Sequence, residues 1–133
     1  MATFEKQRIE EKIKDKVVDW ISLETNGRLI AFKPEKGSDL VIEKKGDYVG
    51  KKIFLQIKLL EGAPDIKTKL LENQHSLFVL FDRVEQKIDE ENVWLIPAFP
   101  NKINKKIFIN FLIEELVMKN KLKPKVGFKS KQY

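Results

Sequence analysis

The chain has 133 residues, 42% hydrophobic and 35% charged, enough for one buried core and a heavily charged surface. Cysteine is absent and His75 is the only histidine, which excludes disulfides, thiolate metal sites, cysteine nucleophiles and sites built on histidine pairs. The formal charge of +6 favours an acidic partner such as nucleic acid, but the excess is confined to one end: Lys119 to Tyr133 holds six lysines and no acid, and removing these from the 26 basic residues leaves 20 against 20 acidic ones over Met1 to Met118.

The expected organisation is a single domain over 1–118 followed by a basic tail over 119–133. The tail reads either as a solvated terminus or as an arm that touches phosphates. No apolar run is long enough to span a bilayer and no signal-peptide pattern opens the chain, so the expectation is a soluble, cytoplasmic protein.

In chain order, Ile9, Ile13, Val17, Trp20 and Ile21 recur at spacings of three and four, predicting an amphipathic helix over Thr3 to Leu23 that Asn26-Gly27 ends. Arg28 to Phe32 and Asp39 to Glu43 read as strands. Lys52 to Leu60 is the clearest strand, with Ile53, Leu55, Ile57 and Leu59 on one face and Phe54, Gln56 and Lys58 on the other. The turn-rich stretch Lys45 to Gly50 predicts a hairpin between these last two strands.

A short helix is expected from Asp65 to about Gln74, with Asp65 as its cap. Leu77 to Phe81 is an uninterrupted apolar run, as in a strand covered on both faces. Asn92 to Ala98 reads as a further strand, and Asn110 as the cap of a last helix from Phe111 to about Asn120. The order helix, three strands, helix, strand, strand, helix implies an α/β fold with a mixed sheet of about five strands flanked by helices.

Asp39 opens the second strand, and 17 positions later Gln56 and Lys58 share one face of the third. A hairpin would set Asp39 beside Gln56. A carboxylate and an amide oxygen are hard ligands for a divalent cation, which would activate a water and offset phosphate charge. Lys58 would orient that water and stabilise developing charge. The bland alternative makes Asp39 a turn residue and places Gln56 and Lys58 on a solvated sheet face. His75 reads as a surface or packing residue. Gly46 to Lys51 is a hairpin turn, since its Gly-x-x-x-Gly-Lys spacing is short for a phosphate loop.

The stretches Gly37-Ser38-Asp39-Leu40-Val41-Ile42-Glu43 and Ile53-Phe54-Leu55-Gln56-Ile57-Lys58 resemble the core of the PD-(D/E)XK nuclease superfamily, the restriction endonuclease-like fold. Ser38 replaces the motif's proline, and Gln-x-Lys replaces its acidic form, a variant that Mrr-like members carry. In scale the chain is similar to archaeal Holliday junction resolvases.

The resemblance implies a divalent-metal-dependent DNA endonuclease. Asp39, Gln56 and Glu10 would hold Mg²⁺ or Mn²⁺, and Lys58 would assist the water. Glu10 is chosen because the family takes a Glu from the first helix and Glu10 lies on the apolar seam. Glu11 is expected to point away, and Glu24 is the second choice. A two-fold dimer is also implied. Candidate nucleic-acid contacts are Lys44, Lys45, Tyr48 and Lys51 at the hairpin and Lys121, Lys123 and Lys125 in the tail. DNA is the expected partner, with RNA the other nucleic acid that the charge admits. Gln56 leaves the site one charge short, which keeps open a weakened or inactive module that binds nucleic acid or serves in a larger complex. A basic RNA-binding structural protein is the third reading.

Overall fold

The apolar spacing of the first segment winds it into helix α1, Ala2–Glu24, in a computed structural model that describes residues 2–60 and 74–119. Ile13, Val17 and Ile21 are fully buried along one stripe. The helix stops in a paired hydrogen-bond cap: Gly27 N–H donates to Ser22 O at 2.8 Å and Asn26 N–H to Leu23 O at 3.3 Å. Asn26 takes the left-handed position at φ 53°, and Gly27 follows at φ 77°. Buried Thr25 donates to Ile21 O and accepts from Leu29 N–H, tying the helix end to the first strand.

Three strands follow as an antiparallel meander: β1 Leu29–Phe32, β2 Leu40–Lys44 and β3 Lys52–Leu59. Strand β4, Gln74–Asp82, pairs parallel with β3, and β5, Lys87–Ile96, pairs antiparallel with β4. The sheet order is β1-β2-β3-β4-β5. The chain ends its described part in α2, Lys105–Ile113, which runs on into a π-helical turn, Glu114–Met118.

The core lies on one face of the sheet. Leu40 and Ile42, Ile53, Leu55 and Ile57, Leu77 and Val79, and Val93 and Leu95 pack against the buried stripe of α1 and against Phe108, Leu112 and Leu116. Period-two alternation sends Val41, Phe54, Gln56, Lys58 and Phe78 to the other face. The result is an α/β arrangement with a five-stranded mixed sheet flanked by helices, consistent with a restriction endonuclease-like core. Among the described residues, no helix is long and apolar enough to cross a membrane.

Three expectations need correction. The last helix starts at Lys105, and its cap is Asn104, whose side chain accepts from Ile107 N–H at 2.9 Å; Asn110 is an exposed residue inside the helix. Strand β5 begins at Lys87 rather than Asn92, because a tight turn from Asp82 starts the hairpin early and only Ile88 of this polar stretch faces the core. The Leu77–Phe81 run is covered on both faces only in part: Phe78 is buried, but Leu80 on the same face is 36% exposed. The expected helix from Asp65 lies outside the described residues, except that Gln74 opens β4.

Candidate functional site

The β2–β3 hairpin is locked by its inward apolar residues, since a one-residue slip would turn them to solvent. Leu40 stands opposite Leu55 and Ile42 opposite Ile53. The next position outward sets Asp39 against Gln56, and the bonds made there are specific. Asp39 N–H donates to Leu55 O at 3.0 Å, and Ile57 N–H donates to Asp39 Oδ2 at 2.7 Å. Asp39 is therefore fastened to the backbone on both sides of Gln56.

Gln56 is half-buried, and Lys58, two residues on along the same face, is exposed. The parallel pairing sets Ser76 beside Gln56 and Phe78 beside Lys58. A groove of about 370 Å³, lined by Lys36, Ser38, Val41, Phe54 and Gln74, runs along this face and the loop into Asp39. Its surface is mainly apolar, from Pro34, Val41 and Phe54, with Lys36 as its one charged residue.

The carboxylate of Asp39 also meets helix α1. Lys14 Nζ lies 3.3 Å from Asp39 Oδ1 and 2.9 Å from Glu11 Oε2. Lys33 in turn bonds Glu11 at 3.0 Å and Asp15 at 2.9 Å. Burial works against the Lys14 ammonium, but hydrogen bonds and attraction from Glu11 and Asp39 outweigh it, and its pKa is raised. Hydrogen bonds from Lys14 and Lys33 lower the pKa of Glu11. Bonds to Asp15 and Glu11 raise that of Lys33. All three stay charged at neutral pH.

Glu10 is half-buried on α1, four residues before Lys14 and hence on the same flank. Its carboxylate makes no ion pair among the described residues. Glu11 was expected to point away; its side chain is 56% exposed, yet through Lys14 it is the helix carboxylate linked to Asp39. Glu24, at the far end of α1, is held by Lys105 of α2 at 3.2 Å.

Among the described residues, no three Asp, Glu, His or Cys are grouped so as to hold a metal ion. The candidate set has only two carboxylates, Asp39 and Glu10, with the Gln56 amide as the third oxygen donor. Carboxylate and amide oxygens are hard donors of the kind a divalent cation takes, and Asp39 already carries the Lys14 ammonium.

At the hairpin tip Tyr48 is 75% exposed and Lys45 is exposed, while Lys44 is half-buried. Lys51 is tied to Glu115 at 2.7 Å and Lys52 to buried Glu43 at 2.6 Å, so the basic cluster is thinner than its sequence. Lys121, Lys123 and Lys125 lie outside the described residues. His75 packs its ring against Phe111, 5.3 Å between centroids.

Sequence reasoning missed Lys14 and Ser76. The signal for Lys14 was its place one turn after Glu10; Ser76 had none, because only the parallel register puts it beside Gln56. Comparison of the chain with protein-family models, with curated proteins and with solved structures finds no match.

Proposed function

We propose that the protein is a divalent-metal-dependent endonuclease that hydrolyses DNA phosphodiester bonds. The observation that carries this reading is Asp39 fastened across Gln56, with Lys58 two residues further along β3. Asp39 and the Gln56 amide would hold Mg²⁺ or Mn²⁺, with Glu10 approaching Asp39 from the α1 side of the sheet, as Lys14 does. When bound, such an ion lowers the pKa of a water and offsets phosphate charge. Asp39, the last residue of the loop into β2, is fastened to β3 by two hydrogen bonds, and Gln56 lies within β3, which limits the reorganisation needed at the moment of reaction. Lys58 is exposed, and its ammonium would orient the attacking water. A nucleic-acid strand would lie along the groove lined by Lys36, Val41 and Phe54.

A second reading, a module of the same fold that binds nucleic acid without cutting it, is favoured by one observation: Asp39 is paired with Lys14, in a site that Gln56 already leaves short of charge. Incubation with plasmid, linear and four-way-junction DNA, with Mg²⁺, Mn²⁺ or EDTA, separates the two. Cutting that needs metal and is lost in Asp39→Asn and Lys58→Ala is the expected result. Binding without cutting under every condition sinks the enzyme and leaves the module.

A further inference from the structure

The Asp39 carboxylate would be the central anionic ligand of the proposed centre, and a cation belonging to the protein already sits on it. Lys14 Nζ is 3.3 Å from Asp39 Oδ1. The Lys14 side chain is only 18% exposed, and Glu11 holds the same ammonium from the solvent side at 2.9 Å. Oδ2 of Asp39 is committed to Ile57 N–H at 2.7 Å. Oδ2 keeps one lone pair beside that bond, and Oδ1, which takes no backbone hydrogen bond among the described residues, has the greater acceptor capacity for a divalent ion and is the oxygen the ammonium faces.

The geometry points to Lys14 as a positioning residue: it holds Asp39 in the metal's stead, and a divalent ion must displace it to enter. This rests on the metal-centre reading above. Two cations cannot share one oxygen at ligand distance without strong repulsion, so metal entry is an exchange rather than a simple addition. Glu11 makes the exchange feasible, because the displaced ammonium keeps a partner and is not stranded. Lys14 thus sets the apparent metal affinity through Asp39 without ligating the metal.

The test is Mn²⁺ binding to the full chain, followed by titration calorimetry and by loss of the free-Mn²⁺ paramagnetic signal. Lys14→Met should bind Mn²⁺ more tightly than wild type, by up to about fivefold for a partly exposed ion pair, even as its melting temperature falls with the lost tie between α1 and β2. Lys14→Arg, which keeps the charge, should bind as wild type does. Should the Met variant fail to fold, Lys14→Gln keeps a polar side chain on this flank and carries the same expectation. Binding in Lys14→Met no tighter than wild type, with Asp39→Asn abolishing it, would overturn the exchange while leaving the metal centre standing. Equal binding by wild type and Asp39→Asn would overturn the metal centre itself, and the exchange with it.

Discussion

The two oxygens of Asp39 do separate work, one accepting from Ile57 N–H and the other meeting Lys14. Their energetic weights differ. The bond to Ile57 satisfies a part-buried backbone donor, and leaving such a donor unpaired costs about 1–3 kcal/mol. The ion pair with Lys14 is partly exposed and worth about 0.2–1 kcal/mol. Asp39→Ala loses both, whereas Asp39→Asn keeps an acceptor for Ile57. Urea unfolding should therefore find Asp39→Ala less stable than Asp39→Asn by about 1 kcal/mol or more, although neither should support metal-dependent cutting. Equal midpoints would mean that the Ile57 bond carries no stability. The opposition of Asp39 and Gln56 was legible because strand alternation and a hairpin fix faces from local sequence alone. The Lys14 contact was not: on a helix bearing many lysines, nothing local tells which one reaches a carboxylate 25 positions away in sequence.

At the scale of elements, the boundaries separate what local pattern specifies from what packing decides. The first helix was legible because an apolar stripe and an Asn-Gly cap agree. The last helix was misplaced because two asparagines, Asn104 and Asn110, each precede an apolar run. The choice fell to Ile103, Phe108 and Ile109, which reach the core only if the helix begins at Lys105. Ile103 also pairs with Val93 beside β5, which fixes where the chain must turn. Asn104 then supplies the oxygen for Ile107 N–H. Asn104→Ala should lower stability by about 1 kcal/mol, as loss of a cap does. Asn110→Ala, exposed within the helix, should be neutral or slightly stabilising through the better helix propensity of Ala. Thermal melts of the two variants check this, and the reverse ranking would reinstate Asn110 as the start. The early part of β5 escaped notice for a related reason: Lys87 to Asn92 is an edge segment, where a charged, polar sequence is what keeps a strand from pairing with another molecule.

For the whole molecule, the distribution of charge decides how nucleic acid would be gripped. The chain over 1–118 is balanced at 20 basic and 20 acidic residues, and the fold spends several of its lysines internally. Lys51 pairs with Glu115, Lys52 with Glu43, Lys33 with Glu11 and Asp15, and Lys105 with Glu24 and Glu90. Cations so engaged have less to gain from a phosphate, because binding would exchange one partner for another. Five of the six unbalanced charges sit in residues 121–133, which hold five lysines and no acid. If those lysines contact phosphate, each releases a counterion, and the logarithm of the binding constant falls with the logarithm of salt by about 0.9 per phosphate neutralised on duplex DNA. Deleting 121–133 should therefore flatten the salt dependence measured by fluorescence anisotropy, by up to about 0.9 for each lysine engaged. Lys45→Glu, at the exposed hairpin tip, should shift the slope by no more than one phosphate's share. A slope left unchanged by the deletion would assign the phosphate contacts to residues before 121, and with them the task of bringing DNA to Asp39.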